Sequence, residues 1–86
     1  MVEAGRRIAE RECGGCHAVG RRGASPLADA PRFREMSPQL PPSAFAAELE
    51  RRAHVIHPRM PALDLDADER AALIAYWASL RAERPI

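Results

Sequence analysis

Apolar positions recur with helical spacing in three stretches of the chain, and no stretch alternates in the manner of a strand. In residues 3–13, EAGRRIAEREC, Ile8 and Ala9 mark an apolar face, and Gly5 lies one turn earlier. That spacing predicts a short first helix. Residues 14–41 hold four of the five glycines and four of the eight prolines and keep no period, so they read as loop, with one turn of helix at PRFREM. A middle helix is expected over 42–53, where Pro41 and Pro42 suit a first turn and Phe45, Leu49 and Ala53 give a stripe. Residues 54–65, HVIHPRMPALDL, form a second proline-punctuated loop. The last helix has the clearest signature. Asp66 is an N-cap with Glu69 as its capping-box partner. Leu73, Tyr76, Trp77 and Leu80 then fall at i, i+3, i+4 and i+7, and Pro85 ends the pattern. The fold class expected is all-α, with helices at both ends and one domain over 1–86.

The 86 residues make a poor core on their own. A chain of about 60 residues buries only about 60% of its unfolded surface, and this one does little better. Small scaffolds therefore rely on a staple such as a disulfide, a metal or a cofactor. Aromatic residues are few: Phe33, Phe45, Tyr76 and Trp77. Net charge is +1, so the chain lacks the basic footprint of a nucleic-acid binder. All 13 basic residues are arginine, which reads first as a base-composition bias. The longest apolar stretch, AALIAYWASL, is about half of the ~20 residues a membrane span needs. Arg6, Arg7 and Glu10 interrupt the start before a signal-peptide apolar run develops. The chain is expected to be cytosolic or a mature product whose export signal has been removed.

The chemistry concentrates in CGGCHAVG, residues 13–20, which hold both cysteines. A redox Cys-x-x-Cys belongs at a strand-to-helix junction, and no strand is predicted here. A zinc site could draw on Cys13, Cys16, His54 and His57, but the gap between the pairs is long and His-x-x-His is tight. The remaining reading is covalent haem attachment, for which Cys-x-x-Cys-His is the signature. Two thiols must reach two vinyl groups on neighbouring edges of one rigid macrocycle, and His17 must then present its Nε2 to the iron. A helical turn from Cys13 into His17 does both, and Gly14 and Gly15 put no side chain between the thioethers.

A haem held by His17 leaves a sixth position. Met60 is the preferred ligand: in HPRMPALD, Pro58 and Pro61 stiffen both its flanks, which lowers the entropic cost of keeping a weak thioether donor on iron. His/Met ligation also raises the reduction potential relative to two nitrogen donors. His57 is the competing donor, Met36 reads as core filler, and His54 reads as solvated. A metal-bound histidine donates its other N–H to a carbonyl or carboxylate. Pro26, the first proline after the motif, is assigned that carbonyl.

With these residues in place the chain resembles a class I cytochrome c of the small bacterial, monohaem kind, over nearly its whole length. The carrying stretches are AGRRIAERECGGCHAVG, ASPLADAPRFREM, HPRMPAL and ALIAYWASL. In that family a helical glycine eight residues before the first haem cysteine lets the terminal helices cross against an aromatic. Gly5, Cys13 and Tyr76 match that pattern. The family's usual aromatic four residues before the first cysteine is Ala9 here, and Trp77 is expected to fill the missing volume close to the haem.

The resemblance implies one haem c on Cys13 and Cys16, and a one-electron carrier that is not itself an enzyme. It implies maturation outside the cytoplasm, hence a periplasmic location. Its partners would be larger redox proteins (a dehydrogenase, reductase or oxidase), met as a monomer or as a cytochrome subunit. Leu27, Phe33, Phe45, Leu49, Ile56, Leu63 and Leu73 are expected to line the haem, and Arg21, Arg22 and Arg59 to flank it. Two other functions stay open: a ligand-binding haem sensor, which needs Met60 to leave the iron easily, and a zinc-held structural module.

Overall fold

The computed structural model describes residues 1–54 and 64–82, the side chains of 52–54 and 82 excepted. Four helices appear in order: α1 (Val2–Glu12), α2 (Phe33–Met36), α3 (Pro42–His54) and α4 (Ala67–Ala82). No strand occurs among the described residues. The boundaries agree with the hydrophobic pattern to within one or two residues, and the turn expected at PRFREM is α2. The second proline-rich loop falls largely outside the described residues, as does Pro85.

The capping box at α4 forms in both directions. Asp66 Oδ1 accepts from the Glu69 N–H at 2.8 Å, and Glu69 Oε1 accepts from the Asp66 N–H at 3.2 Å. Two of the orphan donors at this helix start are thereby satisfied. Behind the cap, Leu73, Tyr76, Trp77 and Leu80 are all buried, as the spacing predicts.

The dominant helix–helix contact is between α1 and α4, with α3 and α2 packing on α4 more lightly. Gly5 is buried in the α1–α4 crossing. A Cβ placed there would lie 2.7 Å from the Tyr76 Cβ and closer still to the Ala72 carbonyl oxygen. Only glycine permits this approach, which offsets the helix-propensity cost of up to ~1 kcal/mol relative to Ala. Tyr76 adds a hydrogen bond, donating its hydroxyl to the Val19 carbonyl at 2.6 Å. That bond ties α4 to the loop leaving the Cys-x-x-Cys-His segment. A surface pair joins the same two helices, Arg11 Nη2 to Glu69 Oε2 at 2.8 Å.

α4 also holds the connection between α2 and α3. Trp77 donates its indole N–H to the Leu40 carbonyl at 2.8 Å, and Arg81 donates to the Ser37 carbonyl at 2.6 Å. The core runs from Ile8, Ala9 and Cys13 through Phe33, Phe45 and Leu49 to the α4 stripe.

Candidate haem site

The site begins where α1 ends. The Ala9 carbonyl accepts from both Cys13 N (2.8 Å) and Gly14 N (3.0 Å), so the last helical turn tightens and stops. A Cβ at residue 14 would stand 2.5 Å from the Glu10 carbonyl oxygen, so glycine is required where the chain folds back over the helix end. The Cys13 carbonyl then accepts from Cys16 N (3.2 Å) and His17 N (2.9 Å). This turn gathers both thiols and the imidazole within five residues, as the motif's spacing requires.

Both cysteines are free thiols. Cys13 is buried and Cys16 half-buried. Burial pushes the Cys13 thiol up to about 11, with the charge of Glu12 adding to the rise. At neutral pH the Cys13 sulfur therefore carries its proton.

His17 Nδ1 lies 2.6 Å from the Pro31 carbonyl oxygen. Proline supplies a C=O acceptor and no N–H, so Nδ1 carries the hydrogen, donates it, and leaves the Nε2 lone pair free for a metal. The proline is not the expected one. Pro26 is exposed. Around it, Leu27 N donates to the Cys16 carbonyl at 3.1 Å and Ala18 N to Ser25 Oγ at 3.0 Å, which folds the 16–27 loop on itself. Phe33 N donates to the Ala18 carbonyl at 3.0 Å and so brings Pro31 back alongside the histidine. Proximity in space, rather than order in the sequence, decides which proline holds His17.

Cys13 and His17 open onto an apolar cleft that they line together with Pro31, Phe33, Met36, Leu40, Phe45, Glu48, Leu49 and Trp77. Its cavity volume is about 260 Å³ and it opens to solvent, just under the ~300–1,000 Å³ of cofactor and ligand sites. Its aromatic wall is ordered. Phe45 and Trp77 stack at 3.9 Å with 5° between their planes. Phe33 meets Trp77 edge-on at 5.1 Å and approaches the His17 ring at 5.5 Å.

Of the expected lining, Phe33, Phe45 and Leu49 are in the cleft wall. Leu73 is instead fully buried in the core, and Leu27 is half-buried away from the cleft. Trp77 lines the cleft. Met60, His57, Ile56, Leu63 and Arg59 lie outside the described residues, as does the side chain of His54. Among the described residues no three His, Cys, Asp or Glu side chains gather to hold a metal ion.

Sequence reasoning missed Pro31, Leu40 and Glu48, and gave Met36 no place in the cleft. The first was within reach, because Pro31 opens the PRFREM turn. Met36 and Leu40 follow Phe33 at i+3 and i+7, a helical stripe running past the end of a very short helix. Glu48 carries no apolar signature at all.

The donor set fits a haem. Two free thiols, an imidazole with its Nδ1 already engaged, and a cleft walled by aromatic and aliphatic side chains are suited to attachment, ligation and desolvation. An all-helical chain with this site belongs to the c-type cytochrome class. More narrowly, it is a member of the family described as cytochrome c oxidase, cbb3-type, subunit III, whose model matches residues 1–76. No curated protein and no solved structure matches the chain. Membership establishes haem-based electron transfer as the work of the domain and covalently bound haem c as its cofactor. No helix among the described residues is long and apolar enough to cross a membrane.

Proposed function

We propose that the chain is a monohaem one-electron carrier, with its haem on Cys13 and Cys16 and with His17 and Met60 as axial ligands. The observation that carries this reading is His17. Its Nδ1 is held by Pro31 beside two free thiols, so its Nε2 is left as the donor at the mouth of an apolar cleft.

Cys13 and Cys16 would hold the haem through thioethers, each formed by adding S–H across one vinyl C=C. No electrons are gained or lost, so attachment needs no oxidant. The bound haem supplies a ferric/ferrous couple. The Pro31 carbonyl fixes the His17 tautomer and ring orientation, and raises the basicity of Nε2. Phe33, Phe45, Leu49 and Trp77 exclude water from the cleft and lower its dielectric, which favours the less charged state of the centre. Met60, flanked by Pro58 and Pro61 in the sequence, would supply the sixth ligand. Keeping both ligands leaves no open coordination site for a substrate, so the domain passes electrons between larger redox proteins and is not itself an enzyme. Attachment of this kind places the mature protein in the periplasm, as a small carrier or a cytochrome subunit of a larger complex.

The test is haem extraction with acidified organic solvent from the unfolded holoprotein, followed by a visible spectrum. Haem that stays with the wild-type chain, and is lost in Cys13→Ala/Cys16→Ala, supports the reading. Extractable haem, or a colourless wild type, overturns it. Met60→Ala tests the sixth ligand. The ferrous variant binds carbon monoxide rapidly, whereas the wild type resists it. Rapid, complete carbon monoxide binding by the wild type at neutral pH would instead favour a ligand-binding module.

A further inference from the structure

Among the described residues, one ionisable side chain besides Cys13 and His17 lines the cleft: Glu48. It sits on α3 between Phe45 and Leu49, at i+3 from the first and i−1 from the second, and both of those are buried cleft residues. A glutamate on a helix of this kind is ordinarily turned to water. The Glu48 side chain is 40% exposed, so it borders the cleft while still meeting solvent. Its Oε2 lies 3.4 Å from Nε of Arg51, one turn further along α3 and itself 65% exposed. Of this pair, the guanidinium is the more exposed and the carboxylate the one that borders the cleft.

We propose that Glu48 is a tuning residue for the redox centre. Its negative charge, held in the cleft wall, keeps the reduction potential lower than the apolar cleft alone would set, and Arg51 offsets part of that charge. The inference rests on the one-electron reading above. An electron added to a centre beside a fixed negative charge is disfavoured by Coulomb repulsion, and a low-dielectric wall weakens that repulsion less than water does. Arg51 acts in the opposite sense and, being more exposed, acts less strongly.

Midpoint potentials of the holoprotein test this, measured by spectroelectrochemical titration at neutral pH and low ionic strength. Glu48→Gln is expected to raise the potential, and Glu48→Asp, which keeps the charge, to stay near the wild type. Arg51→Gln is expected to lower it by less than Glu48→Gln raises it. Unchanged haem spectra and far-UV circular dichroism show that the variants keep the fold and the axial ligands. If Glu48→Gln fails to take up haem, Arg51→Gln still reads the same charge from outside the cleft. A Glu48→Gln potential equal to or below the wild type overturns the inference, as does an Arg51→Gln potential that rises. Those results leave the carrier reading standing, because the wild type still shows a reversible one-electron transition. A wild type with no such transition overturns both.

Discussion

Gly5 of α1 packs directly against the Ala72 carbonyl of α4, with no space for a methyl group between them. The neighbour is backbone, so relief requires the helices to separate rather than a side chain to swing away. Overpacking typically costs about 1–3 kcal/mol, and alanine regains up to ~1 kcal/mol of helix propensity. Gly5→Ala should therefore destabilise the protein by about 1–2 kcal/mol, and Gly5→Val by more. Urea denaturation followed by circular dichroism measures both. A Gly5→Ala midpoint at or above the wild type would show that the crossing is looser than the structure has it.

The same crossing is closed by the Tyr76 hydroxyl on the Val19 carbonyl. Removing the hydroxyl leaves a backbone acceptor without that donor, which costs about 1–3 kcal/mol when the acceptor is buried. Tyr76→Phe should lower stability by that amount. It should also loosen the loop after His17, read as faster amide hydrogen exchange at the residues following the motif. Uniform exchange across the chain would place the loss in the helices instead.

The helical framework was legible because its signals are local. Whereas the Gly5–Tyr76 pairing was legible only through the resemblance to class I cytochromes c, the Asp66/Glu69 box and the Leu73–Leu80 stripe each lie within one element and depend on local spacing alone. The attachment motif was legible for the same reason, since five consecutive residues carry its geometry. The support of His17 was not. Pro26 and Pro31 are chemically alike, and only the hydrogen bonds that fold residues 16–33 decide which carbonyl reaches the ring. Glu48 was equally hidden, because a glutamate on an amphipathic helix reads as solvent-facing until the cleft beside it is seen.

The two prolines can be told apart by substitution. Pro31→Ala keeps the carbonyl but releases the fixed φ and adds an N–H, so the acceptor is held less firmly. Loss of such a supporting hydrogen bond typically costs about 10–100-fold in metal-ligand affinity. Pro31→Ala should therefore let an added imidazole or cyanide displace axial ligation at lower concentration than in the wild type. Pro26→Ala should titrate like the wild type. Equal displacement curves for the two variants would contradict the assignment.

Acid should weaken the α1–α4 junction. The Glu69 carboxyl is held below its ordinary 4.5, first by the hydrogen bond from Arg11 and then by the Asp66 N–H. A carboxyl with a lowered folded-state pKa adds stability that is present above its unfolded value and lost as pH falls through the folded one. The contribution is therefore complete above about pH 5 and fades below 4.5. Glu69→Gln should flatten that part of the pH–stability curve and lower neutral stability by the same small amount, small because the pair is solvent-facing. A Glu69→Gln curve parallel to the wild type between pH 3 and 5 would remove Glu69 from the acid response.

Trp77 gives the most direct optical test of the cleft. It is 1% exposed, stacked on Phe45, and lines the same space as Cys13 and His17. A porphyrin seated in that space absorbs where indole emits, and energy transfer at contact distance quenches the emission. Native holoprotein should therefore be nearly dark, and its fluorescence should rise as denaturant separates the helices. Trp77→Ala would remove both the stack and the N–H donated to Leu40, at about 3–5 kcal/mol. Trp77→Phe keeps most of the packing and loses the hydrogen bond, so its cost should be smaller. Bright tryptophan emission from the folded, haem-loaded protein would place the haem away from this aromatic wall.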